Sequence, residues 1–289
     1  MEACGGSHHW GRTIARLGHR VRLIPAQNVK PFVKRSKNDQ NDAQAISEAA
    51  GRPGMAEVAV KSAETQAAVM LLSVRDLLVR RRTQLANAMR GHAAEFGLVA
   101  PLGNKGLDTL RGEIASDEQL PDAAREALQL LGKELDRIGI RLDEIEKKLA
   151  IQHKANSQSQ QLAHVPGIGM MGALNFAVRI DVSQFKSGRH FAAWLGLVPR
   201  QNSTGGKQRL GGISRAGDER LRQQLVLGAT AVIRHCKPGK KNASPWLLKL
   251  LERKPRKLAA VALANKMARI IWAMLTSGED YRQTKPVTA

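Results

Sequence analysis

Asp39 and Asp42 stand three residues apart in the run Asp39-Gln40-Asn41-Asp42. On a helix that spacing places both carboxylates on one face. Side-by-side carboxylates repel unless a cation lies between them, and hard cations such as Mg2+ favour oxygen ligands of this kind. The plainer use is to cap free N–H groups at a helix start, and spacing alone favours it. A second candidate is Val165-Pro166-Gly167-Ile168-Gly169, which has the order of a helix-hairpin-helix turn. There, two glycines let backbone N–H groups approach a DNA phosphate at a helix N-terminus. Many turns between helices carry two glycines, but in a basic chain this order tips the reading towards phosphate contact.

The third candidate is Leu197-Val198-Pro199-Arg200-Gln201-Asn202-Ser203-Thr204-Gly205-Gly206-Lys207-Gln208-Arg209. A hydroxyl ahead of two glycines, with Lys and Arg behind, can present an oxygen to a phosphodiester while the cations balance charge. A phosphate-binding loop has the same composition, and the run is not a Walker A sequence. Arg215 and Arg222 flank Asp218, which suits an N-cap better than a metal ligand. Cys4, His8 and His9 near the start suggest zinc, but no second cluster at ligand spacing completes a closed site. Zinc is rejected.

These residues need elements to hold them. The pattern predicts a helix from His8 to Leu17 stopped by Gly18, a strand at Val21–Ile24, and a helix capped by Asn38 or Asp39 running to Ala50. Glu57–Val60 is a second candidate strand, so the first segment predicts an α/β layer. From Ser62 to about Leu98 the apolar spacing is helical, with Arg75, Arg80, Arg82 and Arg90 interspersed; these fit a solvated face and phosphate contact equally. Pro101 to Pro121 predicts a loop. Leu128, Leu131, Leu135, Ile138, Leu142, Ile145 and Leu149 then alternate in steps of three and four, the seam of a coiled coil. That seam needs a partner: a second copy of itself or the preceding long helix. Residues 151–161 predict a polar linker. The remainder predicts helices with glycine-rich breaks, the last stopping at Gly278, then a disordered tail after Tyr281.

Composition narrows the partner. The 289 residues carry 46 Lys and Arg against 25 Asp and Glu, a net charge of +21, which points to a polyanion. At 43% hydrophobic, the chain can build real cores. Aromatics at 3% argue against modules that hold single strands mainly by stacking. Two cysteines cannot form a disulfide scaffold and fit a reducing compartment. No apolar run of membrane-spanning length and no secretion signal is evident, so an intracellular protein without a membrane partner is expected.

Taken together, the segments resemble a known family, the DEDD insertion-sequence transposases, which are related to the Piv-type DNA invertases. The matching pieces are Glu2-Ala-Cys-Gly5, Gly18 to Pro25, Val29-Lys-Pro31, Lys37 to Ala43, Pro166 to Gly169, and Leu195 through Arg222. The resemblance implies a mixed α/β and α fold: a partial RuvC-like (RNase H-like) domain at 1–61 and a helical coiled-coil region at 62–161. A mostly helical C-terminal transposase domain at 162–280 and a tail at 281–289 would follow. It implies Glu2, Asp39 and Asp42 as catalytic ligands of Mg2+, with Ser203 attacking DNA. Gly167, Gly169, Thr204, Lys207, Arg209, Arg215 and Arg222 would then hold nucleic acid. It further implies an element-encoded guide RNA, a homo-oligomer through the Leu128–Leu149 helix, and a cytoplasmic, nucleoid-associated location in a bacterium. The family's first Asp belongs upstream of Glu2 and has no match in the 289 residues. Two expectations therefore stand side by side, a metal-assisted strand transferase with a serine nucleophile, and a catalytically dead remnant that only binds DNA or RNA.

Overall fold

The computed structural model describes residues 1–34, 38–237 and 244–282. The expected tail from residue 283, and Lys37 of the matching pieces, lie outside the described residues. The chain divides into two compact units, one formed by residues 1–67 with 153–289 and the other by residues 68–152.

In the first unit, β1 (Glu2–Ala3) and β2 (Ile24–Pro25) pair in parallel with Glu2 opposite Ile24, joined by helix α1 (Ser7–Arg16). α1 stops where expected, at Gly18, whose φ of 88° is left-handed and cheap for glycine. The two expected strands shrink to β2 and a single antiparallel bridge between Leu23 and Val58. Short helix α2 (Ala26–Val29) and helix α3 (Asp39–Gly51) then close a small core of Ile24, Val29, Ala45 and Ala49. The observed architecture is thus mostly helical with few strands.

The second unit is a helical hairpin. α4 (Ala63–Ala94) enters it, α5 (Asn104–Ser116) replaces the expected loop, and α6 (Asp122–Ala155) leaves it. Met89 and Ala93 of α4 pack with Leu110 and Ile114 of α5 and with Leu128 and Leu135 of α6. At the other end the Arg75 guanidinium meets the Glu146 carboxylate at 2.6 Å, so α4 and α6 run antiparallel. Leu128, Leu135, Ile138, Leu142 and Leu149 are each at most 6% exposed in the single chain. Five of the seven seam residues are therefore covered within one chain, at the start of the seam by the preceding long helix, while Leu131 and Ile145 stay half-buried. Arg75 is spent on Glu146, and Arg90 donates to the Gly103 carbonyl, so neither stands on a simply solvated face. Gly132 lies under the Arg111 side chain, which reaches over it to grip Asp136 with two bonds of 2.8 and 2.6 Å. That bond holds the Asp136 carboxyl below its usual range.

The expected polar linker at 151–161 is helical instead. Asn156 accepts the Ser159 N–H and starts α7 (Ser157–Leu162), while the buried Ser159 hydroxyl meets His153 Nδ1 at 2.7 Å. α8 (Met170–Arg179), α9 (Gly188–Trp194), α10 (Glu219–His235), α11 (Pro245–Arg253) and α12 (Arg256–Ser277) surround one core that includes Phe176, Phe191, Leu225 and Ile271. Burying each of the two Phe side chains is worth roughly 1.5–3 kcal/mol. α12 ends at Gly278, φ 71°, as its sequence predicts. By length and composition α12 could cross a membrane, contrary to the expectation that no run would reach that length. Its Ala259, Ala264, Ala268 and Ile271 are fully buried in this core, so its apolar content is accounted for by packing.

Residues 57–66 tie the N-terminal segment to the C-terminal core. In the amide orientation that satisfies both its atoms, Gln184 donates to the Glu57 carbonyl at 2.9 Å and accepts from Ala59 N–H at 3.1 Å. Arg12 donates to the Lys61 carbonyl and to Gln66, both at 2.8 Å. Burial, then the nearby Arg179 guanidinium, lowers the Lys61 ammonium below its usual range, although Asp181 and Asp218 pull the other way.

Candidate nucleic-acid interface

The Ser203 segment forms a feature that its sequence was not read to contain. β3 (Pro199–Gln201) and β4 (Leu210–Ile213) pair antiparallel, with Pro199 opposite Ile213. The ladder continues through Asn202 N–H to the Arg209 carbonyl and closes at a bridge between Thr204 and Lys207. Gly205 and Gly206 form the tip with φ of 54° and 74°; two successive positive φ values define the tight turn whose twist suits a hairpin. Residues 199–212 are all exposed. From Pro199 to Ile213 there are three cations, Arg200, Lys207 and Arg209, and no acid.

Ser203 sits just before the tip, exposed, and its Oγ accepts the Arg209 N–H at 3.3 Å. A backbone donor aimed at a hydroxyl oxygen favours negative charge there, the charge a serine acquires as it attacks. Thr204, Lys207 and Arg209 share the tip with it.

The base of this ribbon is rigid. Gly196 and Gly217 both have positive φ, and a Cβ on Gly196 would lie 2.3 Å from Ala216 N, one on Gly217 2.1 Å from the Trp194 carbonyl. Between them Arg215 has φ 57°, the only left-handed non-glycine among the described residues, and it is exposed. That conformation costs roughly 1–3 kcal/mol. Its side chain would be free to contact phosphate, so Arg215→Gly is expected to leave stability equal or raise it by up to about 1 kcal/mol while weakening DNA binding. Thermal melts beside a DNA titration check both halves; a variant that binds DNA as tightly as the parent removes Arg215 from the interface.

Arg222 is a correction. Expected on nucleic acid, it is only 9% exposed, and its guanidinium donates to the carbonyls of Leu195 at 3.1 Å and Ala216 at 2.5 Å. It braces the ribbon's base from inside. Asp218 caps α10 as expected, its Oδ1 accepting from the N–H groups of Arg220 and Leu221.

Gly167 and Gly169 play different parts. Gly167 has φ 86°, and a Cβ on it would lie 2.7 Å from the Gly228 carbonyl of α10. Its lack of a side chain is thus explained by packing. Gly169 is exposed and opens α8 without a side-chain cap, leaving the first N–H groups of the helix free of such a partner.

Of the carboxylates, Asp39 is exposed and Asp42 half-buried in the first turn of α3. Neither is the cap, because the Asn38 side chain accepts the Asn41 N–H at 2.7 Å. Glu2 is half-buried on β1. Among the described residues, no three His, Cys, Asp or Glu side chains gather into a metal site. Arg200 lies inside the cluster that the sequence marks but has no role assigned there; it extends the cationic edge and donates to the Ser214 carbonyl. The Gly205-Gly206 pair between Thr204 and Lys207 was the available signal for the hairpin that carries it.

Comparison with known proteins identifies the family. Residues 159–244 match the model of the "Transposase IS116/IS110/IS902 family". The chain is 50% identical over 287 residues to a Sinorhizobium fredii protein named as a transposase, covering 99% of this chain and 74% of that one. It is 44% identical over 285 residues to the transposase for insertion sequence element IS1111A of Coxiella burnetii, covering 98% and 78%. A more distant relative is the pilin gene-inverting protein of Moraxella bovis, 30% identical over 135 residues, 45% of this chain and 39% of that one. The chain belongs to the IS116/IS110/IS902 transposase family.

Proposed function

We propose that this transposase joins DNA strands with Ser203 as nucleophile, at the tip of a cationic ribbon that lies along the nucleic acid. The observation that carries this is the ribbon itself. Two strands alone are marginal in water, yet this pair is exposed, acid-free and tipped by a hydroxyl. A two-stranded ribbon fits the major groove of DNA, and Arg200, Lys207 and Arg209 would supply phosphate contacts. Attack by Ser203 Oγ on a backbone phosphorus would form a phosphoserine ester and release the strand's 3′-hydroxyl. Attack by another 3′-hydroxyl would return the serine and join the strands. The Arg209 N–H and neighbouring cations would offset charge on both oxygens.

The N-terminal segment completes the reading. The parallel β1–α1–β2 unit is compatible with part of a RuvC-like sheet, and the paired α4 and α6 are compatible with a coiled-coil region. A divalent cation would hold and polarise phosphate; Asp39 and Asp42, one turn apart, could each give it an oxygen, with Glu2 a third candidate ligand. The described residues do not gather these three, so the serine chemistry is assigned to the ribbon alone. A guide RNA and assembly of several copies belong to the same proposal: the basic charge suits an RNA, and joining two DNA partners needs more than one active centre. The location that follows is the DNA-containing cytoplasm.

The test supplies the purified chain with DNA bearing element ends and a target, Mg2+ and the element's own transcript. Joined strands, with binding that weakens steeply as salt rises, are the expected result. Salt-sensitive binding with no joining under any of these conditions would leave the second reading, a protein that only binds.

A further inference from the structure

Beneath the ribbon lies a cleft of about 790 Å3, within the range of small-ligand sites, roughly 300–1,000 Å3. One wall is the backbone of Gly211 and Gly212 on β4, and the floor is apolar, built by Leu258, Val261 and Ile270 of α12. Lys254, Lys266 and Arg269 supply three cations, and no acid is among the described lining residues. Trp246 of α11 is 40% exposed in the cleft, and the Lys266 ammonium lies 4.5 Å from its ring centre.

Gly211 and Gly212 sit where the ladder shifts register: Pro199 pairs with Ile213 and Gln201 with Leu210, so β4 carries an extra residue there, a bulge of the kind glycine serves. A Cβ on Gly212 would meet nothing within 4 Å, and one on Gly211 only Arg200 at 3.9 Å, so the bulge leaves a bare backbone wall on the cleft. The cleft therefore combines that wall with an apolar floor, an exposed indole and three cations. A flat apolar face with negative charge close by complements it, and that is the chemistry of a nucleotide.

We infer that this cleft receives a single unpaired base, extruded from the nucleic acid that follows the ribbon, while Lys254, Lys266 and Arg269 hold its flanking phosphates. The inference rests on the nucleic-acid reading above. The low aromatic content agrees with one pocket for one base, not a platform for many. Few polar groups line the cleft, so the pocket accepts any base by its face rather than reading an edge.

The experiment uses the full chain and two fluorescent single strands of equal length, one with ordinary bases and one with abasic positions in its central stretch. Charge is the same, so only the bases differ. The base-bearing strand is expected to bind about tenfold more tightly, since stacking a base is worth roughly a five- to hundredfold change in affinity. Ala262→Leu, which fills the cleft from α12, and Trp246→Ala should each erase that tenfold difference and leave the abasic strand's affinity unchanged. Circular dichroism identical to the parent keeps Ala262→Leu interpretable should Trp246→Ala unfold. Equal affinity for both strands, or a difference that survives Ala262→Leu, overturns the pocket while leaving nucleic-acid binding intact. Unchanged binding of both strands with an altered sedimentation mass overturns it in favour of a protein occupant. Failure of either strand to bind at any salt concentration instead overturns the nucleic-acid reading, and this inference with it.

Discussion

Ser203→Ala should lower strand joining by about 10,000-fold or more and erase any covalent protein–DNA adduct, because removing a nucleophile removes the step itself. The side chain is exposed at the ribbon tip and buries no apolar surface, so the melting temperature should hardly move. Binding should also persist, since Lys207, Arg209 and Arg215 are untouched. The adjacent hydroxyl gives the control. Thr204 closes the hairpin through its backbone, which Thr204→Ala preserves, so that variant should retain most joining activity. Adduct trapping followed by gel analysis separates the two. An adduct that persists in Ser203→Ala and vanishes in Thr204→Ala would move the nucleophile by one residue; one that persists in both would sink serine chemistry at this tip.

The second large effect concerns stability. Alanine is a better helix former than glycine by about 1 kcal/mol, so Gly→Ala inside a helix ordinarily stabilises. At Gly228 of α10 the opposite is expected. A Cβ there would lie 2.0 Å from the Gly167 carbonyl, and backbone cannot yield as a flexible side chain can. The turn before α8 must separate from α10, and the core around Leu225 and Ala229 opens with it. A loss of about 3 kcal/mol or more is expected, a drop of roughly 6–12 °C in melting temperature. Gly139→Ala in α6, where a Cβ meets nothing within 4 Å, should instead gain up to about 1 kcal/mol. Calorimetry of both variants checks the signs; a stabilised Gly228→Ala would mean that the turn before α8 and α10 are not in backbone contact.

What the sequence revealed followed how local its cause was. The stop of α12 at Gly278 and the seam of α6 could be read because a cap and a helical period lie within a few adjacent residues. The hairpin was passed over because residues 199–212 are exposed, so no alternation of apolar and polar residues marks its strands. α5 was hidden by its glycines. Gly106 is there because a Cβ would strike the Pro101 carbonyl at 1.7 Å, a contact between helix and loop that resembles a turn signal in the chain. Gly167 was read as a phosphate contact because its partner, Gly228, lies far along the sequence. Arg222 misled for the converse reason. An arginine in a basic stretch looks solvent-facing until the carbonyls of Leu195 and Ala216 are found around it. The family resemblance was legible in ordered short motifs, whereas the mutual placement of Glu2, Asp39 and Asp42 was not.

The division of the chain also orders events during synthesis. Residues 68–152 form a continuous hairpin whose contacts are local, so it can fold soon after leaving the ribosome. The small N-terminal core needs nothing from later in the chain, since Ile24, Val29, Ala45 and Ala49 all emerge early. The stretch that follows it must wait, because Gln184, which pairs with the Glu57 carbonyl and the Ala59 N–H, is made much later. At about 5–20 residues per second that wait is roughly 6–25 s. The N-terminal segment thus closes its own core early and docks on the ribbon-bearing half last.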